Sequence, residues 1–171
     1  MQLVEPSEKY YASYLEAIEE YQQNHVDTFA FIGMTRDNVF EYMKDSKDGS
    51  KLPEGYVPAT YFWAVEGDKF VGEISIRHRL TNALLRFGGN IGYGVRYSKY
   101  NQGIGTKMLG LALEYAKNEL GLTWVLITCN DDNYGSARVI EKNDGILIDK
   151  IQNTVDGKVR ITRRYKITLS E

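Results

Sequence analysis

Residues Trp124 to Cys129 are apolar on both faces of an extended chain, so this strand belongs in a sheet covered on both sides, where neither face meets water. Immediately before it, Gly105 to Leu120 places Met108, Ala112, Tyr115 and Ala116 on one helical stripe, with Gly121 positioned to end the helix. Asn90 to Arg96 precedes that helix as a further β-rich run. Strand, crossover helix and strand form the parallel unit of a sheet, and this unit fixes the middle of the fold.

The flanks are antiparallel in pattern. Thr60 to Val65 and Lys69 to His78 are joined by Glu66-Gly67-Asp68, and Ile146 to Ile151 is joined to Val159 to Ile167 through Asp156-Gly157; both read as hairpins with glycine-containing turns. After Pro6-Ser7, the residues Tyr11, Tyr14, Leu15, Ile18 and Tyr21 recur at helical spacing. Thr35 is suited to cap a second helix with Val39, Tyr42 and Met43 inward, followed by a loop from Asp45 to Pro58; Tyr134 to Lys142 reads as a short helix. Hairpins at both ends and one parallel unit between them predict an α/β or α+β fold, a mixed sheet flanked by helices with one core over residues 1–171.

Charge and cysteine usage narrow the partners. Lys+Arg 21 against Asp+Glu 23 gives a net charge of −2, so no global positive field favours a nucleic acid or an anionic membrane surface. No apolar segment approaches the roughly 20 residues that span a bilayer, and a cytoplasmic protein is expected. Cys129 is the single cysteine, which excludes an internal disulfide and a cysteine-cluster metal site, and no metal is expected.

The chemistry concentrates at Gln102-Gly103-Ile104-Gly105-Thr106, between a strand and the mouth of an amphipathic helix. Unpaired N–H groups and the helix dipole there suit an anion, and the glycines permit close backbone approach; the same glycines equally suit a bare strand-to-helix turn. Met108 stands where a dinucleotide fingerprint would have its third glycine, and the Gly-Lys-Ser/Thr ending of a P-loop is missing. On the preceding strand Gly92 and Gly94 strip one face of side chains, leaving space for an amide-bearing ligand lying as an extra strand, or for tight packing beneath a helix.

Gly92-Tyr-Gly-Val-Arg96, Gln102-Gly-Ile-Gly-Thr106, Leu126-Ile-Thr-Cys-Asn-Asp-Asp-Asn133 and Ser136-Ala-Arg-Val-Ile-Glu-Lys-Asn143 together resemble the GNAT superfamily of N-acetyltransferases over roughly Thr60 to Ile167. Within it, Ile76-Arg77-His78 and Gly88 to Arg96 are most similar to a bacterial group of acetyltransferases. The resemblance implies a sheet that splays between the strands holding Val95 and Ile127. It places acetyl-coenzyme A in the gap with its pyrophosphate on Gln102 to Thr106 and its arm near Asn133 and Ser136, and implies a small-molecule or peptide amine as acceptor. A homodimer is the assembly considered. Two positions depart from the family pattern: Tyr100 opens the glycine loop, where Lys99 or Asn101 would have to supply the polar contact, and Ile140 occupies the place of the usual tyrosine acid.

Amide formation needs a neutral amine, stabilisation of the carbonyl oxygen and a proton for the departing thiolate. A backbone N–H near Val95 suits the carbonyl. Glu73, on the strand face opposite Ile74 and Ile76, either reaches a cleft as general base or stands as a solvated carboxylate. Tyr134 is the nearest phenol for the thiolate, or a packing residue; Asn133 either caps the short helix or contacts the cofactor, and both roles are compatible. His78 reads as structural, and Cys129 as a small buried hydrophobe, so direct transfer is favoured over an acetyl-enzyme. A coenzyme A-binding module without catalysis is the alternative.

Overall fold

A computed structural model describes residues 1–26, 30–155 and 157–169. Among the described residues, seven strands form two sheets. The first runs β1 (Gln2–Val4), β2 (Ala59–Glu66), β3 (Lys69–Arg77) and β4 (Ile91–Val95) in that order; the second has the order β5 (Trp124–Asn130), β7 (Lys158–Thr168), β6 (Ile146–Val155). Every ladder among the described residues is antiparallel. Both expected hairpins are present, Glu66 facing Lys69 and Val155 facing Lys158; Asp156 of the second turn lies outside the described residues.

The helices are α1 (Glu8–Gln23), α2 (Val39–Asp48), α3 (Asn82–Arg86), α4 (Ile104–Asn118) and α5 (Tyr134–Glu141). None of them is long and apolar enough to cross a membrane. In α1 the buried stripe is Tyr10, Ser13, Tyr14, Ala17, Ile18 and Tyr21, a 3.6-residue period that turns Leu15 outward, contrary to expectation. The cap of α2 is also corrected. Thr35 spends its hydroxyl on the Ile32 carbonyl at 3.1 Å, Asn38 precedes the helix, and the helix runs on to Asp48 before Gly49 turns it off at φ 73°. The expected Asp45 to Pro58 loop is shortened accordingly.

Both faces of the first sheet are covered. On one side α4 packs Met108, Leu109 and Ala112 against Ile74, Ile76 and Ile91. On the other, α1 and the segment behind it build an aromatic cluster in which Tyr14 stacks on Trp63 at 4.5 Å and Tyr21 on Phe31 at 4.6 Å between centroids.

The two sheets are stitched together where the chain enters β4, with the Gly88 N–H also donating to Thr128 Oγ1 of β5 at 2.9 Å. The Asn90 N–H donates to the Leu126 carbonyl at 2.7 Å, and the Leu126 N–H donates to Asn90 Oδ1 at 2.9 Å. Gly89 lets the strands touch there: a Cβ would stand 2.3 Å from the Leu126 oxygen, at a φ of +60°. Beyond this point β4 and β5 share no ladder. The parallel unit read from the sequence is therefore present as strand, helix and strand, but β5 is the inner edge of the second sheet and the two strands part, as the resemblance implied between Val95 and Ile127.

Candidate active site

The parting strands open a cleft of about 730 Å³. Its first wall is the outer edge of β4. Arg77 N–H donates to the Asn90 carbonyl at 2.7 Å and Arg96 N–H to the Val71 carbonyl at 2.8 Å. Antiparallel alternation between these two pairs spends the amides of Gly92 and Gly94 on β3 and turns those of Tyr93 and Val95 away from it, toward the gap. The Val95 carbonyl is taken by the Tyr21 hydroxyl, which in turn receives a hydrogen bond from the Tyr100 hydroxyl at 3.2 Å. The outward N–H groups of Val95 and Tyr93 face the cleft.

Its second wall is a pair of helix N-termini. Gly103 enters α4 at φ 76°, the first intrahelical bond is Lys107 N–H to the Gly103 carbonyl at 3.1 Å, and the N–H groups of Ile104, Gly105 and Thr106 precede it without helical partners. A Cβ at Gly105 would lie 3.2 Å from Val139 and 3.5 Å from Val95, so this glycine also lets helix and strand pack closely. At α5, Asn133 Oδ1 accepts from the Ser136 N–H at 3.0 Å. Lys99, Arg138 and Lys142 line the same cleft and give it a positive rim.

Val95, Gly103, Ile104, Gly105, Thr106, Asn133, Tyr134 and Ser136 are thus gathered around one space. Gln102 is not among the lining residues; its side chain donates to the Ser98 carbonyl at 3.2 Å. Tyr134 stands at the rim, 65% exposed, with the Arg163 guanidinium 5.4 Å from its ring centre. Glu73 is neither in the cleft nor solvated. It is 1% exposed, accepting from the Ile32 N–H and from Trp63 Nε1, each at 2.9 Å, and burial raises its pKa to about 7. His78 pairs with Thr60 Oγ1 at 2.8 Å, its pKa lowered by burial and then by Lys47. The face bared by Gly92 and Gly94 is likewise not a bed for the cofactor arm at Gly94. A Cβ at Gly94 would lie 2.5 Å from Ala30, so the chain itself packs there, and the binding edge lies in the sheet plane.

A matching family model, described as an acetyltransferase (GNAT) domain, spans residues 3–145. The chain belongs to the GNAT acetyltransferase family. Its reaction moves an acetyl group from acetyl-coenzyme A to an amine. Solved structures share the acetyltransferase fold at low identity. The microcin C7 self-immunity acetyltransferase MccE, in complex with acetyl-CoA and AMP, has a TM-score of 0.73 at 17% identity over 97% of this chain and 91% of that one. RimJ of Mycobacterium smegmatis, in complex with CoA-disulfide, has a TM-score of 0.74 at 18% identity over 97% of this chain and 80% of that one. A ribosomal-protein-serine acetyltransferase of Vibrio cholerae, so described as putative, has a TM-score of 0.69 at 16% identity over 98% and 92%. No curated protein sequence matches the chain.

Ile140, which the resemblance set at the place of the usual tyrosine acid, is fully buried against α4 and is not among the residues that line the cleft. Sequence reasoning missed a phenol that does face it. Tyr93 reaches across the gap from β4, its hydroxyl 2.9 Å from Ser136 Oγ and 3.3 Å from the Ser136 carbonyl. Its only sequence signal was an aromatic residue flanked by Gly92 and Gly94, on a strand whose edge the sequence does not identify. Cys129 lies beside Ser136 with its thiol pushed up to about 11 by burial, far from the thiolate a nucleophile requires.

Proposed function

We propose that this acetyltransferase holds acetyl-coenzyme A between β4 and α4 and transfers the acetyl group directly to a small-molecule or peptide amine. One observation carries the reading: the outward N–H groups of Tyr93 and Val95 and the unpaired N–H groups at the mouth of α4 converge on one cleft. Ile104, Gly105 and Thr106 bind the diphosphate through backbone N–H groups, with Arg138 and Lys142 adding charge, and Gln102 remains a rim contact. The edge of β4 receives the amide-bearing arm as a further strand would, and Asn133 and Ser136 flank its far side. Val95 N–H polarises the thioester carbonyl. The amine nitrogen then forms the new C–N bond, the C–S bond breaks, and the ammonium proton leaves to water.

The departing thiolate needs a proton, and the Tyr93–Ser136 hydroxyl pair supplies it better than the solvent-facing Tyr134, because it is semi-buried where strand and helix part. Burial raises the pKa of Tyr93, so it remains a protonated donor to Ser136. Tyr93→Phe is expected to lower kcat about a hundredfold, at the low end of general-acid effects, while KM for acetyl-coenzyme A holds. An unchanged kcat would remove the pair from the mechanism. Cys129→Ala is expected to keep kcat within about twofold, since a protonated buried thiol forms no acetyl-enzyme; a lost burst or a collapse of turnover would contradict direct transfer.

The proposal extends to a cytoplasmic location and a homodimer, the latter read from sedimentation as twice the chain mass. Its central test is thiol release across an amine panel together with thermal unfolding. Stabilisation by acetyl-coenzyme A with thiol release supports the site. Stabilisation without release from any amine would make the protein a binding module, and no stabilisation would show that the cleft is not the coenzyme site.

A further inference from the structure

The strand end Ile76-Arg77-His78 takes no part in the cleft just described, yet Arg77 is a half-buried cation with no ion-pair partner among the described residues. Its Nη1 donates to the carbonyls of Gly88 at 3.3 Å and Gly89 at 3.2 Å, which holds the bend leading into β4. The other guanidinium nitrogens have no bond to a described residue. The groups that face Arg77 are the phenols of Tyr61, Tyr42 and Tyr56, and burial lowers its pKa without discharging a guanidinium. A second guanidinium, that of Arg36, lies 3.8 Å from the Tyr42 ring centre; its Nε is buried and unpartnered, and it too has no ion pair among the described residues.

This basic and aromatic cluster sits on the face of β4 opposite α4. There the stretch at Gly94 is closed by Ala30 and Phe31, whereas Gly92, Ser75, Tyr61 and Arg77 remain partly exposed. A Cβ at Gly92 would stand 3.9 Å from Arg77 Nη1 and 3.5 Å from Ser75 Oγ, so a larger residue would crowd the guanidinium. Gly92 is three residues, about 10 Å along a strand, from Val95, where the proposed function places the thioester. Two half-buried guanidiniums with no counter-ion among the described residues leave positive charge that an anion would match, and a planar guanidinium suits carboxylate and phosphate alike.

We propose that Arg77 and Arg36 recognise the acceptor: the amine that this enzyme acetylates carries a carboxylate or phosphate within about 10 Å of its nucleophilic nitrogen, set against Tyr42 and Tyr61. The inference rests on the proposed acetyl-coenzyme A site and assigns the substrate class to it. Polyamines and other polycations are poor acceptors on this reading.

The test uses matched acceptors in the thiol-release assay, each carboxylate-bearing amine paired with its neutral amide and each phosphate-bearing amine with its neutral alcohol. Wild-type enzyme is expected to favour the anionic member by tenfold or more in kcat/KM, as charge-assisted hydrogen bonds provide. Arg36→Gln and Arg77→Met bring that ratio toward one while KM for acetyl-coenzyme A holds, and Arg77→Lys retains part of it. Arg36→Gln decides the matter if loss of the Gly88 and Gly89 contacts unfolds Arg77→Met. Equal or better use of the neutral members by the wild type overturns the acceptor class alone. Thiol release from no pair at all overturns the transferase reading and this inference with it.

Discussion

Asn90→Ala is expected to destabilise the fold by about 3 kcal/mol, the cost of leaving two buried backbone groups without partners. Asn90 is 3% exposed, and its side chain spends both ends on backbone: Oδ1 accepts from the Leu126 N–H at 2.9 Å, and Nδ2 donates to the Arg77 carbonyl at 3.2 Å. These atoms continue the β3 ladder sideways into the second sheet beside the Asn90–Leu126 main-chain bond. Alanine keeps the main-chain bond from Asn90 to Leu126 and strands the other two groups. For a chain of this length such a loss lowers Tm by about 6–12 °C, readable by calorimetry. The substitution also leaves β5 tied at Asn90 by that main-chain bond alone, so thermal stabilisation by acetyl-coenzyme A should shrink with it. A Tm within about 2 °C of wild type would mean that water or a shifted backbone satisfies Leu126, and that the stitch does not set the width of the cleft.

Asn90 also shows where sequence reasoning ran out. In the sequence it reads only as the first residue of the β-rich run Asn90 to Arg96, and its partner Leu126 lies 36 positions away in a run chosen for its apolarity. By contrast, the mouth of α4 was legible because its signals are local: glycines, then an amphipathic period, then a terminator. The both-sided apolarity of Trp124 to Cys129 gave the strand, and its Val125, Ile127 and Cys129 face is buried, but the other face leaves Trp124 exposed and Thr128 half-buried. That apolarity did not reveal that this strand is an edge, because burial under helices and burial between strands leave the same apolar signature. Strand β1, with three residues, and helix α3, with five, are too short to carry a period.

The glycines of β4 failed differently. Their spacing did bare one face, but the chain filled the Gly94 part of it with Ala30 and Phe31, while the functional edge is set by hydrogen-bond alternation that only the register reveals. Alternation put Glu73 on the correct face of β3, opposite Ile74. That face is nevertheless as dry as the other, because the tyrosine stripe of α1 covers it, and a helical stripe does not announce which surface it will cover.

The burial of Glu73 has a thermodynamic signature of its own. Desolvation raises its pKa from 4.5 to about 7, against the opposing hydrogen bonds from Ile32, Trp63 and Tyr14. Because the folded value lies above the unfolded one, the folded state binds the extra proton between them, and stability falls as pH rises through that window. Its contribution is complete below pH 4.5 and is lost by about pH 7, a swing of roughly 3 kcal/mol at 1.36 kcal/mol per unit. Asp131, held low by Lys150 and Arg163, and Asp149, held low by Arg164, titrate with the opposite sign, so the total curve of one protein would mix these effects. Glu73→Gln separates them. The amide cannot meet every donor and carries a fixed penalty, but it does not titrate. The unfolding free energy of wild type minus that of Glu73→Gln, from urea denaturation at a series of pH values, is therefore expected to fall by roughly 3 kcal/mol from below pH 4.5 to above pH 7. A difference that stays level across the series would mean that Glu73 is ionised throughout, with its donors outweighing burial. The aromatic core beneath α1 would then hold a carboxylate rather than a carboxylic acid at neutral pH.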